Sequence, residues 1–144
     1  MSRVIRSLIV TTVLVAVAFL AMFAWNAWLQ SMLPSLAATL SYPGAYEEFA
    51  FVLLSGPVLI LFGGLAFWLY EPHHRTFWAI LFAASLGALL SWTAPAAALP
   101  GTALLLTTYR AGVGALTMLL VILGSWLAAK VLRSYHMRGE KHAA

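Results

Sequence analysis

Residues 8–29 read LIVTTVLVAVAFLAMFAWNAWL, with no charged side chain between Arg6 and Glu47. At 1.5 Å per residue a helix over Leu8 to Leu29 reaches roughly 33 Å, enough to cross a hydrocarbon core of about 30 Å. Arg3 and Arg6 precede it, and Trp25 and Trp28 lie near its far end, where amphipathic rings favour the membrane interface. A cleaved signal peptide is the rival reading, with Ser35-Leu36-Ala37 as its small-residue site. The apolar run is longer than the roughly 7–15 residues of such a segment, so an uncleaved span is expected.

Three further apolar runs repeat the pattern. The expected spans cover about 8–29, 49–70, 77–98 and 108–132, in a single domain over residues 1–144. Hydrophobic residues make up 63% of the chain and charged residues 8%, against about 25% charged in soluble domains. A soluble fold of this size still exposes much of its surface, so lipid must cover the excess. The fold class is an all-α integral membrane protein, a four-transmembrane-helix bundle.

The connections set its direction. The segment QSMLPSLAATLSYPGAYEE, residues 30–48, holds no Lys or Arg. Ser35 to Leu40 suits a short interfacial helix after Pro34, and Tyr42-Pro43-Gly44 is a turn signal. Glu71-Pro-His-His-Arg-Thr76 is tight enough to make the second and third spans antiparallel neighbours. Pro95 and Pro100-Gly101 turn the chain again before the fourth run. With the N-terminus inside, Arg3, Arg6, Arg75, Lys130, Arg133, Arg138 and Lys141 fall on one side and Arg110 alone on the other. This positive-inside asymmetry places both termini, and the basic tail 133–144, in the cytoplasm. A bacterial inner membrane is the plainest location.

The spans differ in character. Ser55-Gly56-Pro57 interrupts the second, because proline removes a backbone donor and kinks a helix; neighbouring groups must then satisfy the freed carbonyl. Gly63 and Gly64 follow, and Gly87, Gly112 and Gly114 lie in the third and fourth runs. Small residues let helices approach closely, and the small-residue-rich third span is expected to be central. Asn26 is the one amide in the first span and is expected to hydrogen-bond across helices.

Among charged residues, Glu47, Glu48 and Arg110 map to the outer boundary at the starts of the second and fourth spans. They suit an anion or proton path, a docking site, or a structural ion pair that fixes register. The structural pair is preferred, since boundary charges usually face partners or water. The acidic pair also suits a helix N-terminus. His73 and His74 are ligand types beside Glu71, but adjacent residues rarely aim both rings at one ion, and a solvated loop is the default. His136 and His142 in the tail read the same way.

Several activities are disfavoured. There is no cysteine, which excludes disulfides, thiolate metal sites, thiol-based mercury uptake and thiol oxidation. The first run lacks the buried carboxylate that small multidrug exporters need, and no phosphate-loop motif occurs. Basic residues gather at span ends rather than along a face that tracks phosphates, so nucleic acid is not an expected partner. Without convergent acid, base or metal-binding groups, no enzyme activity and no cofactor are expected. The expectation is a non-enzymatic accessory or structural subunit, packing in a larger membrane complex or as a homo-oligomer. The small-residue faces of the second and third spans and the basic tail are its expected contact surfaces, and the tail is also suited to anionic lipid. The alternatives are a small oligomeric channel or transporter with a polar path near Glu47, Glu48 and Arg110, and, more weakly, a haem or quinone-linked membrane anchor.

Overall fold

A computed structural model describes residues 2–32, 47–93 and 103–143. Of these, 94% are helical and none is in a strand. The helices are α1 (Arg3–Met32), α2 (Glu47–Leu54), α3 (Gly56–Leu69), α4 (Arg75–Thr93) and α5 (Ala103–Ala143). The expected interfacial helix at Ser35 to Leu40, the Tyr42-Pro43-Gly44 turn and the Pro95 to Gly101 turn lie outside the described residues.

Three helices, α1, α4 and α5, are long and apolar enough to cross a membrane. The second apolar run is divided. Its helix stops at Leu54 and restarts at Gly56, which leaves α3 with 14 residues. Alone, α3 reaches about 21 Å, short of a hydrocarbon core; α2 and α3 end to end reach about 34 Å. The local cause is Pro57, in the first turn of α3, where its missing N–H costs least. Ser55 takes φ −81° and ψ 1°, and its hydroxyl makes no cap to α3. Its own N–H still bonds the Phe51 carbonyl at 3.0 Å, and Leu59 N–H bonds the Ser55 carbonyl at 2.9 Å. The joint is therefore a kink with local loss of hydrogen bonding, not an unwound loop.

Pairs of contacts give the helix directions. Thr11 meets Tyr70 and Asn26 meets Ser55, so α1 and α3 are antiparallel. The Glu71–His74 turn, closed by His74 N–H to the Glu71 carbonyl at 3.1 Å, sends α4 back alongside α3. Gly87 lies against Gly114 and Met118, and Gly114 against Ser91, which makes α4 and α5 antiparallel. Gly63 abuts Val121 while Gly64 abuts Gly124 and Ala128, which makes α3 and α5 parallel.

The core runs along these seams through Leu14, Met22, Val52, Leu59, Phe82, Leu86, Val113 and Val121. The most extensive packing joins α5 to α3 and to α4. The fourth apolar run, rather than the third, is thus the central helix. Its advantage is two glycine contacts, one toward each neighbour. By contrast, α1 is held by one stripe, Thr11, Leu14, Ala18, Met22 and Asn26. Around it Ile9, Val13, Val17, Leu20 and Phe23 are exposed. A helix apolar all round with one narrow buried stripe is suited to lipid on its remaining faces.

The C-terminal segment also differs from expectation. Residues 133–143, read from sequence as a tail, continue α5 as an exposed helix. Propagating an existing helix needs no new nucleus, so a polar sequence can prolong one that packing has already formed.

Candidate functional site

Three polar constellations tie the helices together. The first lies at the kink. The Trp25 indole N–H donates to the Leu54 carbonyl at 2.7 Å, and the Asn26 amide donates to the Ser55 hydroxyl at 2.6 Å and to the Met22 carbonyl at 3.0 Å. Asn26 is 6% exposed and Ser55 fully buried. Adjacent residues on α1 thus serve adjacent residues at the joint. In a helix the Leu54 carbonyl would accept from Val58, the residue after Pro57; at the kink an α1 side chain supplies a donor. The arrangement binds α1 to α2 and satisfies groups that lipid could not. Phe23 and Phe51 extend the contact, their rings 5.1 Å apart.

The second constellation is at the other end of α3. The Tyr70 and Thr11 hydroxyls lie 2.6 Å apart, and Thr11 also donates to the Ser7 carbonyl at 2.8 Å. A hydroxyl has one proton, and that of Thr11 is engaged by Ser7, so Tyr70 donates to Thr11. Tyr70 stacks on Trp78, with centroids 6.1 Å apart. Arg75 donates to the Tyr70 carbonyl at 2.9 Å and lies over the Phe67 ring at 5.1 Å. Arg3 and Glu71 approach to 3.9 Å with both side chains substantially solvated. Lys130, over the Trp126 ring at 4.7 Å, adds a cation–aromatic pair on α5.

The third is the glycine seam. A Cβ on Gly63 would strike the Val121 carbonyl oxygen, and one on Gly124 the Ile60 carbonyl oxygen. A Cβ on Gly87 would come within 2.8 Å of the Gly114 carbonyl oxygen, and one on Gly114 within 3.1 Å of that of Gly87. Ser125 donates to the Gly63 carbonyl at 2.8 Å, a hydrogen bond that close approach alone permits. Gly64 has looser contacts, and Gly112 is half-buried on α5. Gly56 would meet nothing within 4 Å, so its place is in the kink, not in a helix contact.

Arg110 is half-buried near the start of α5, at the same end of the bundle as the kink. Glu47 and Glu48 form the first turn of α2, but their side chains lie outside the described residues. His73 and His74 are exposed in the turn, and His136 and His142 are exposed on α5. Among the described residues no group of three His, Cys, Asp or Glu is placed to hold a metal ion.

Sequence reasoning singled out Asn26 but missed its neighbour Trp25, read only as an interfacial ring. It also missed Tyr70 as a donor, and Gly124-Ser125. A small pair inside a long apolar run was a usable signal for the last. No local signal identifies Thr11 as the partner of a tyrosine 59 positions away. No protein-family model, curated protein or solved structure matches the chain.

Proposed function

We propose that the chain is a four-span membrane bundle, with α2 and α3 together forming the second span and both termini cytoplasmic, and that it acts as a non-enzymatic accessory or structural subunit. The observation that carries this reading is the use made of buried polar groups. Among the described residues the buried polar side chains are Thr11, Asn26, Ser55 and Thr117. Thr11 and Asn26 join α1 to Tyr70 and to Ser55, and Thr117 bonds the Val113 carbonyl of its own helix. Such groups hold helices in register rather than converge on a substrate.

The basic asymmetry supports the orientation. Arg3, Arg75 and Lys130 gather at the end of the bundle where α1 starts and α3 stops. The inner (cytoplasmic) membrane of a bacterium remains the proposed location, with lipid as the immediate partner and anionic headgroups beside the basic helix end.

Partner contact falls on other surfaces than glycine content first suggests. Gly63, Gly64 and Gly87 face α5, so the small-residue faces of α3 and α4 are occupied within the chain. The broad outer face of α1 and the helical extension 133–143 are among the surfaces open to another subunit or a second copy, beside the exposed apolar residues of α3, α4 and α5. Mild-detergent copurification at native expression level tests the reading. A stoichiometric partner or a homo-oligomer is expected, and a monodisperse, partner-free monomer contradicts it. The channel reading draws on Arg110 and the acidic turn of α2 lying at one end of the bundle; ion flux in reconstituted liposomes would favour it.

A further inference from the structure

We propose that α2 is a hinged segment that turns about Ser55–Gly56–Pro57, and that Trp25 and Asn26 of α1 are its latch. The joint has the features of a hinge. Pro57 cannot donate to the carbonyl four residues before it, so one rung of the helix ladder is missing. Ser55 sits near the bridge region of backbone space, at φ −81° and ψ 1°. Gly56 is buried but its Cβ direction is open, and Pro57 is exposed, so there is room beside the joint. On either side of the joint the chain is well held: Val52 on α2 is 1% exposed and Leu59 on α3 is fully buried.

The latch is concentrated. Two side-chain hydrogen bonds from consecutive residues reach consecutive acceptors at the hinge, the Leu54 carbonyl at 2.7 Å and the Ser55 hydroxyl at 2.6 Å. Among the described residues, α2 also meets α1 through the Phe23–Phe51 ring pair and packs against α5, apolar contacts that can slide without leaving a polar group unpaired. Closed, α2 meets α3 at the kink and buries Val52. Open, it swings from α1 and from its packing on α5, exposes Val52 and uncovers Asn26, while α3 stays fixed by Gly63 and Gly64 against α5. Because α2 begins with Glu47-Glu48, the swing displaces the acidic end of the second span relative to Arg110. This inference does not depend on the accessory-subunit reading.

The chain has no cysteine, so one introduced thiol reports one site. Val52→Cys and, separately, Leu59→Cys are placed in the otherwise unchanged full chain and in Trp25→Phe/Asn26→Leu, in liposomes. Modification by a membrane-impermeant maleimide is then timed. Release of the latch is expected to raise the rate at Val52→Cys by tenfold or more while Leu59→Cys remains protected. Trp25→Phe alone is expected to give an intermediate rise. Unchanged protection at both positions would overturn the hinge, and an equal rise at both would replace it with general loosening of the bundle.

Discussion

Adding one methyl group at Gly63 tests the packing logic most sharply. A Cβ there falls against the carbonyl oxygen of Val121, part of a backbone and not the end of a flexible side chain. Relief therefore requires α3 and α5 to separate. Overpacking of this kind costs about 1–3 kcal/mol. Separation also stretches the 2.8 Å hydrogen bond from Ser125 to the Gly63 carbonyl, worth about 0.6–2 kcal/mol in a bilayer. Alanine returns about 1 kcal/mol through its better helix propensity. The net for Gly63→Ala is a loss of about 0.6–4 kcal/mol, a shift of roughly three-fold to several-hundred-fold in the unfolding equilibrium at about 1.4 kcal/mol per decade. Gly56→Ala is the internal control, because its new methyl meets nothing within 4 Å. Reversible unfolding in bilayers, driven by steric trapping, gives both numbers. Equal stability of Gly63→Ala and Gly56→Ala would refute the claim that backbone approach at Gly63 organises the bundle.

Three other outcomes follow from the same geometry. A double-mutant cycle of Thr11→Val and Tyr70→Phe, read by the same unfolding assay, should give a coupling of about 1 kcal/mol; additive effects would show that the 2.6 Å contact contributes nothing. Arg3→Ala should change stability by less than about 0.5 kcal/mol, because its pairing with Glu71 is long and largely solvated. Gly139→Ala should stabilise the exposed end of α5 by about 1 kcal/mol, since nothing packs on Gly139, and should slow amide exchange over residues 133–143; unchanged exchange would contradict a helical extension.

Much of the helical plan was legible because bilayer physics writes it into composition. The apolar run from Leu8 to Leu29 needs only length and charge to be read, and α1 covers it. Ser55-Gly56-Pro57 is similarly local: proline chemistry predicts a defect wherever the partners lie, and the helix ends beside it. The partners themselves are not local. That Trp25 reaches the Leu54 carbonyl depends on the rotation of α1 about its axis, which the nearly uniform apolar sequence scarcely encodes. Likewise, three small-residue runs compete for the central position, and choosing α5 requires knowing that Gly114 and Gly124 meet α4 and α3 at two separate crossings. The extension of α5 beyond Leu132 was hidden by its polarity and by Gly139, both of which suggest a tail when read without the helix that precedes them. For the acidic pair at the start of α2, sequence supplies charge, boundary position and the expectation of an ion pair with Arg110, but the Glu47 and Glu48 side chains lie outside the described residues.

If the divided second run completes a fourth crossing, as proposed, the C-terminus returns to the side of the N-terminus. Single cysteines at Ser2, Ser41, His73, Ala97 and Ala144, in a chain with none of its own, can be scored for modification in sealed vesicles of known orientation. Four spans predict that Ser2, His73 and Ala144 share the cytoplasmic face and that Ser41 and Ala97 share the opposite one. Placement of Ser2 and Ala144 on opposite faces would contradict a fourth crossing.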